Sequence, residues 1–208
     1  MRITVFGATG GIGREVVGQA LAAGHHVTAV VRDPARLSVS AGENLIVVTA
    51  DVTDPAAIAP ALDGADAGVS ALGPRRGDSK TICADGAGGI LGAMAKTGVR
   101  RLVAVSASGL FREAGEPPVT RYLVKPLLQA ILRDSKADVH RMEDLITDSA
   151  VDWTIMRPAM LTNRPLRAYR TALDRYVSRQ VGRADVADAI LQAIGDSSMI
   201  GHRVNVGN

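Results

Sequence analysis

Residues Arg2–Gly13 read R-I-T-V-F-G-A-T-G-G-I-G, and the fold follows from how this stretch is parsed. Ile3, Val5 and Phe6 form a short apolar run. Gly7, Gly10 and Gly13 follow at three-residue spacing, and a helical apolar pattern (Val16, Val17, Ala20, Leu21) begins at once. The pattern predicts a strand, a tight turn and a helix. Gly7 permits the sharp turn, Gly10 permits close approach of a ligand to the backbone, and Gly13 permits the helix to pack near the strand. The first-turn N–H groups of such a helix lack partners and sit at the positive end of its dipole, which suits a pyrophosphate. A second apolar run at Val27–Val31 completes the context in which a glycine fingerprint signals dinucleotide binding.

Outward from this turn the chain alternates strand and helix without a linker. Apolar runs at 3–6, 27–31, 45–49, 67–72, 101–105, 151–156 and 203–206 are expected to be strands. Helical patterns fill 12–23, 55–62, 80–97, 126–149 and 184–194. Asp54-Pro55 has the form of a cap followed by proline at the first helical position, and Gly24, Gly98 and Gly195 fall where helices end. The expectation is an α/β protein: one domain, residues 1–208, with a doubly wound, mostly parallel sheet between two helical layers. Segments 73–79, 107–122 and 157–182 are irregular and follow the C-terminal ends of strands, where ligands bind in open α/β sheets.

Composition narrows the function. The 208 residues are 47% hydrophobic but 3% aromatic, so the core must be aliphatic. A net charge of +3, with basic residues not interleaved with aromatics, gives no case for nucleic acid. No apolar run reaches membrane-spanning length, and glycines interrupt the first residues where a signal peptide would need an apolar region. A single cysteine, Cys83, fits a reducing, cytoplasmic setting and reads as a small buried hydrophobe. No His, Cys, Asp or Glu cluster has metal-ligand spacing, so no metal is expected.

After the second strand the sequence is Val31-Arg32-Asp33-Pro34-Ala35-Arg36. Enzymes selecting NAD place a carboxylate here, whereas Arg32 and Arg36 would suit the 2′-phosphate of NADP(H), which is the expected preference. Otherwise they are a solvated surface pair. Asp33 either serves the ribose or caps the turn. Asp51 either accepts from the adenine amino group, beside Val52, or caps the next helix.

In order, G-A-T-G-G-I-G, V-V-R-D-P-A-R-L, A-D-V-T-D, S-A-L-G-P-R, V-A-V-S-A-S-G, D-W-T-I-M-R-P and R-A-D-V-A resemble the atypical short-chain dehydrogenase/reductases over essentially the whole chain. Within that group they look most like the branch containing the biliverdin reductase B/flavin reductase family, with NmrA-like proteins as neighbours. The resemblance implies a Rossmann fold and NADP(H) bound by Gly7, Thr9, Gly10, Gly11, Ile12, Arg32, Arg36, Asp51 and Val52. It further implies Ala71, Leu72 and Gly73 along the cofactor, Ser106 near the nicotinamide, and Arg157-Pro158 leading into the loop beyond.

Typical superfamily members carry a Tyr and a Lys four residues apart on one helix face. Here Tyr122 and Lys125 are three apart, and the proline that follows disfavours helix at Lys125, so the pair reads as coincidental. Candidate chemistry falls to Ser106, to Ser108 reached from a loop, and to His140, which follows Lys136 by four on a helix. Each has a bland alternative as a capping hydroxyl or a packed imidazole. Arg75, Arg76, Arg112, Arg121, Arg164, Arg167 and Arg170 fall above the strand ends and would either attract a planar, anionic small molecule or simply be surface. Trp153 is expected in the core. The expectations are a reductase of a flavin-like or quinone-like acceptor, a non-catalytic NADP(H) sensor, or a sugar-nucleotide epimerase, acting as monomer or homodimer.

Overall fold

The computed structural model describes residues 1–39, 42–74, 79–111, 114–119, 122, 125, 133–177 and 180–208. Strands β1 (Arg2–Phe6), β2 (His26–Val31), β3 (Leu45–Thr49), β4 (Ala67–Ser70), β5 (Arg101–Val105) and β6 (Asp152–Pro158) occupy the expected apolar runs, as does the last strand. Three short strands follow β6: β7 (Met160–Thr162), β8 (Arg170–Leu173) and β9 (Gln180–Gly182), before β10 (His202–Gly207). The main sheet runs β3-β2-β1-β4-β5-β6-β10-β8 and is parallel except for β8 against β10. A parallel β7–β9 pair stands apart. The 157–182 segment is therefore not the irregular stretch its polarity suggests. Arg157 and Pro158 are still in β6, residues 160–162 and 180–182 pair with each other, and residues 170–173 pair with β10.

Successive side chains on a strand point to opposite faces, so each strand feeds two cores. Ile3, Val5, Val69 and Val103 pack with α1 (Gly11–Ala22) and α5 (Arg183–Gly195). Phe6, Val30, Leu102, Ala104 and Ile155 pack with α2 (Pro55–Leu62), α3 (Ile82–Thr97) and α4 (Arg133–Thr147). Trp153 is half-buried against the second core. Helix ends follow local chemistry. Asp54 accepts from the Ala56 and Ala57 N–H groups to cap α2, and Gly24 and Gly98 adopt φ of 79° and 77°. Gly195 differs from expectation: it is the last residue of α5, and Asp196 forms the C-cap.

Strand order reverses direction at β1/β4. The helix after β1 crosses one face and the helix after β4 the other, so a crevice opens above these strand ends. No described helix is long and apolar enough to cross a membrane.

Candidate functional site

The crevice begins at the β1–α1 turn. Gly7 has φ +76°, and a Cβ there would lie 2.6 Å from the Ala71 carbonyl oxygen; one on Gly13 would lie 2.2 Å from the Gly7 carbonyl oxygen. Both positions thus require glycine, and the turn is pressed against the end of β4. Gly10 stands at the N-cap of α1 in extended conformation, with no capping side chain and no acid in the first turn. Helix α3 reaches the same crevice, but Asp138 accepts from the Cys83 and Ala84 N–H groups at 3.0 and 2.9 Å and satisfies that end. The positive end of α1 is left for an anion.

The crevice encloses about 520 Å³. At one end it is lined by Arg32, Ala50 and Val52; in the middle by Gly7, Thr9, Gly10, Gly11, Ile12, Ala71, Leu72 and Gly73; at the other by Ser106, Ala107, Leu110 and Val139. Cys83 is 2% exposed and also lines it. Sequence reasoning missed Arg183, whose side chain crosses over Gly11, where a Cβ would lie 2.6 Å from Nε. Its Nη1 donates to Asn163 Oδ1 at 2.5 Å.

Several expected contacts lie elsewhere. Gly13 supports the turn from behind and does not line the crevice. Arg36 is exposed in the 3-10 turn Pro34–Arg36 and is not in the lining. Asp33 accepts from Ala35 N–H at 3.0 Å and caps that turn. Asp51 lies in an adjoining hollow with Arg32. Its carboxylate accepts from the Thr53 N–H and hydroxyl at 2.9 and 2.8 Å, while Asp54 holds the helix cap. The Thr53 backbone bond, then its hydroxyl, and to a lesser degree the Arg32 charge hold Asp51 below the usual carboxylate value.

At the β5 end, Ser106 is 8% exposed and its Oγ donates to Glu143 Oε1 at 2.5 Å. Glu143, 2% exposed, was not singled out in the sequence. Its Oε1 also accepts from Arg157 Nε at 3.0 Å, and its Oε2 from Arg157 Nη2 at 2.5 Å and Arg203 Nε at 3.1 Å. Four bonds fill the carboxylate's acceptor sites. The Arg157 guanidinium stacks 3.7 Å from the Phe111 ring centroid.

Ser108 is turned away: it is buried in the 3-10 turn Ser108–Leu110 and does not line the crevice. Nor does His140, which stacks on Phe111 at 4.2 Å and faces a second cavity with Lys136. Tyr122 is 68% exposed, whereas Lys125 is buried on Glu116 and the Phe111 carbonyl. The two form no dyad, although Lys125 is itself helical despite the proline that follows it. Tyr169 donates to Asp188 at 2.6 Å. Burial and that carboxylate push its phenol above the usual range, opposite to the requirement of a catalytic acid. None of the three tyrosines lines the crevice. Arg75, Arg76, Arg112 and Arg121 lie outside the described residues, and Arg164, Arg167 and Arg170 do not line the crevice. Among the described residues, no three His, Cys, Asp or Glu side chains are grouped to hold a metal.

A doubly wound sheet, a glycine turn and an uncapped helix end at the switch point together define a Rossmann-fold NAD(P)-binding protein. Residues 7–197 match the family described as NAD(P)H-binding, and the chain belongs to that family. An uncharacterised protein of Mycobacterium tuberculosis is 27% identical over 194 residues, which is 93% of this chain and 18% of that protein. A Streptomyces griseus protein named (4-alkanoyl-5-oxo-2,5-dihydrofuran-3-yl)methyl phosphate reductase is 32% identical over 165 residues, 79% of this chain and 49% of its own length. The chain thus spans less than half of either curated relative. A Veillonella parvula short-chain dehydrogenase/reductase solved with NADP superposes with a TM-score of 0.79 at 22% identity, covering 100% of this chain and 94% of that one.

Proposed function

We propose that the protein is an NADPH-dependent reductase that passes hydride to a conjugated small-molecule acceptor of flavin-like or quinone-like type. The observation that carries this reading is the composition of the crevice. It joins an anion cradle at α1 and a guanidinium at Arg32 to a far end that, among the described residues, holds a serine but no tyrosine or lysine. When bound, the reduced nicotinamide would supply the hydride equivalent.

The chain's own residues bind and orient. Gly11 and Ile12 offer backbone N–H groups to the pyrophosphate, with Arg183 crossing above them, while the Gly10 N–H closes the turn by donating to the Gly7 carbonyl at 2.8 Å. Arg32 offers charge-assisted bonds to a 2′-phosphate. Ser106 has committed its single proton to Glu143, so it presents only lone pairs to the crevice. It therefore accepts from an amide such as the nicotinamide carboxamide and does not protonate the acceptor. That arrangement is adequate for a conjugated ring, whose proton arrives from water once two flat rings are stacked. It is inadequate for an isolated ketone, which needs an acid at its oxygen. The streptomycete relative is named a reductase, which supports the same class.

The test is to mix protein with NADPH and FMN, menadione or biliverdin and follow the reduced nicotinamide absorbance. Turnover with any of them is expected. Tight NADP binding with no turnover across all three would favour a redox sensor, a reading that the missing tyrosine-lysine dyad also permits.

A further inference from the structure

The second cavity, of about 590 Å³, adjoins the crevice, and Leu110 lines both. Its wall carries Phe111, Lys136, His140, Glu143, Arg157 and Arg203. We propose that it seats an anionic group, a carboxylate or a phosphate, carried by the acceptor. This rests on the reductase reading above and names the substrate class for it.

Charge supplies the first argument. Two guanidiniums share one buried carboxylate, so the inner wall holds more positive than negative charge. Asp144 and Asp174 also border the cavity, but both are exposed and solvated, and Asp174 is engaged by His202 and the Arg203 N–H. Rim carboxylates in water cancel little of an interior charge.

Unused hydrogen-bonding capacity supplies the second. Arg157 gives Glu143 two donors, but Arg203, 34% exposed, gives only Nε, and among the described residues its two terminal amino groups have no protein hydrogen-bond partner. His140 Nε2 is buried and has no hydrogen-bond partner among the described residues. Native structures rarely leave a buried ring nitrogen unmatched. Lys136 lies one helical turn before His140 and on the same face. An anion between these three side chains would receive charge-assisted bonds from Arg203 and Lys136 and one from the imidazole. With the anion there, the conjugated part of the acceptor would pass Leu110 towards Ser106.

The test uses the full chain without cofactor or acceptor, with inorganic phosphate and acetate as separate probes. The histidine ring resonances are followed by NMR, and His140 is assigned from the H140Q spectrum. Expected is a saturable shift of the His140 signal with phosphate, acetate or both, the stronger arm identifying the anion. Affinity should fall about ten-fold or more in R203Q, the loss of one charge-assisted pair, while NADP⁺ affinity is unchanged. Should R203Q fail to fold, K136Q, at a half-exposed position, is expected to weaken the anion in the same direction. No shift with either anion, equal shifts at all four histidines, or wild-type affinity in the folded variants would overturn the proposal. No turnover is read, so loss of the anion site and loss of reductase activity are separable. A neutral quinone would still be reduced by a protein lacking the anion seat.

Discussion

Glu143→Gln is expected to have a large consequence for stability. It keeps the volume of the side chain but removes the charge between Arg157 and Arg203, and it adds an NH₂ group that cannot accept from either. The side chains of Glu143 and Arg157 are only 2% and 9% exposed, so water cannot replace what is lost. Breaking a buried pair from one side costs roughly 3–5 kcal/mol, because the remaining charge stays desolvated. That is a large part of a total stability of about 5–15 kcal/mol. In a chain of this size, each kcal/mol moves Tm by about 2–4 °C, so a fall of roughly 6–20 °C is expected. Arg203 is half-exposed and can turn outward, which favours the lower part of that range. Calorimetry on wild type, Glu143→Gln and Glu143→Gln/Arg157→Met makes the measurement. The double variant removes the orphaned guanidinium and should recover much of the loss. A Glu143→Gln protein melting within about 2 °C of wild type would refute the reasoning, since the carboxylate would then be solvated or unneeded.

Three further outcomes follow from the same geometry. Arg32→Ala should weaken NADPH at least about ten-fold in fluorescence titration and leave NADH nearly unchanged, as one charge-assisted bond to a phosphate predicts; equal losses would show that Arg32 does not read that phosphate. Gly13→Ala places a Cβ 2.2 Å from the Gly7 carbonyl oxygen, and forcing the turn apart should cost about 1–3 kcal/mol in urea unfolding and weaken the dinucleotide. Wild-type behaviour would mean that helix and turn are not in contact. Asp51 is held below its ordinary value of 3.8. Its contribution to stability is therefore complete above that pH and lost as pH falls through the lowered value. Urea midpoints of wild type and Asp51→Asn should differ at neutral pH and converge in acid, and a pH-independent gap would count against the Thr53 bonds as the cause.

What the sequence revealed of the fold is what depends on local pattern. The apolar runs and the glycine turn predict strands, crossovers and switch point, because a strand covered on both faces must be continuously apolar. Strands β7, β8 and β9 escaped because Met-Leu-Thr, Arg-Thr-Ala-Leu and Gln-Val-Gly are short and half polar, and their partners lie far away in the chain. The cofactor side of the crevice was legible because one contiguous turn builds most of it. The network behind its far end was not. Ser106, Glu143, Arg157 and Arg203 come from β5's end, α4, β6 and β10, and nothing local says that one carboxylate serves all three donors. The available signal was weak: Glu143 follows His140 by three, on the helix face already under suspicion. Ser108 failed as a candidate because a 3-10 turn, invisible in the S-A-S-G pattern, rotates it inward.

Function in this fold turns on whether the bare amide groups at the start of α1 receive a dinucleotide diphosphate. A crystal structure of the protein soaked with NADPH tests it directly. Diphosphate density is expected within hydrogen-bond distance of the Gly11 and Ile12 N–H groups, with the 2′-phosphate on Arg32. A fully occupied nucleotide elsewhere, or a crevice that stays empty at saturating NADPH, would contradict it.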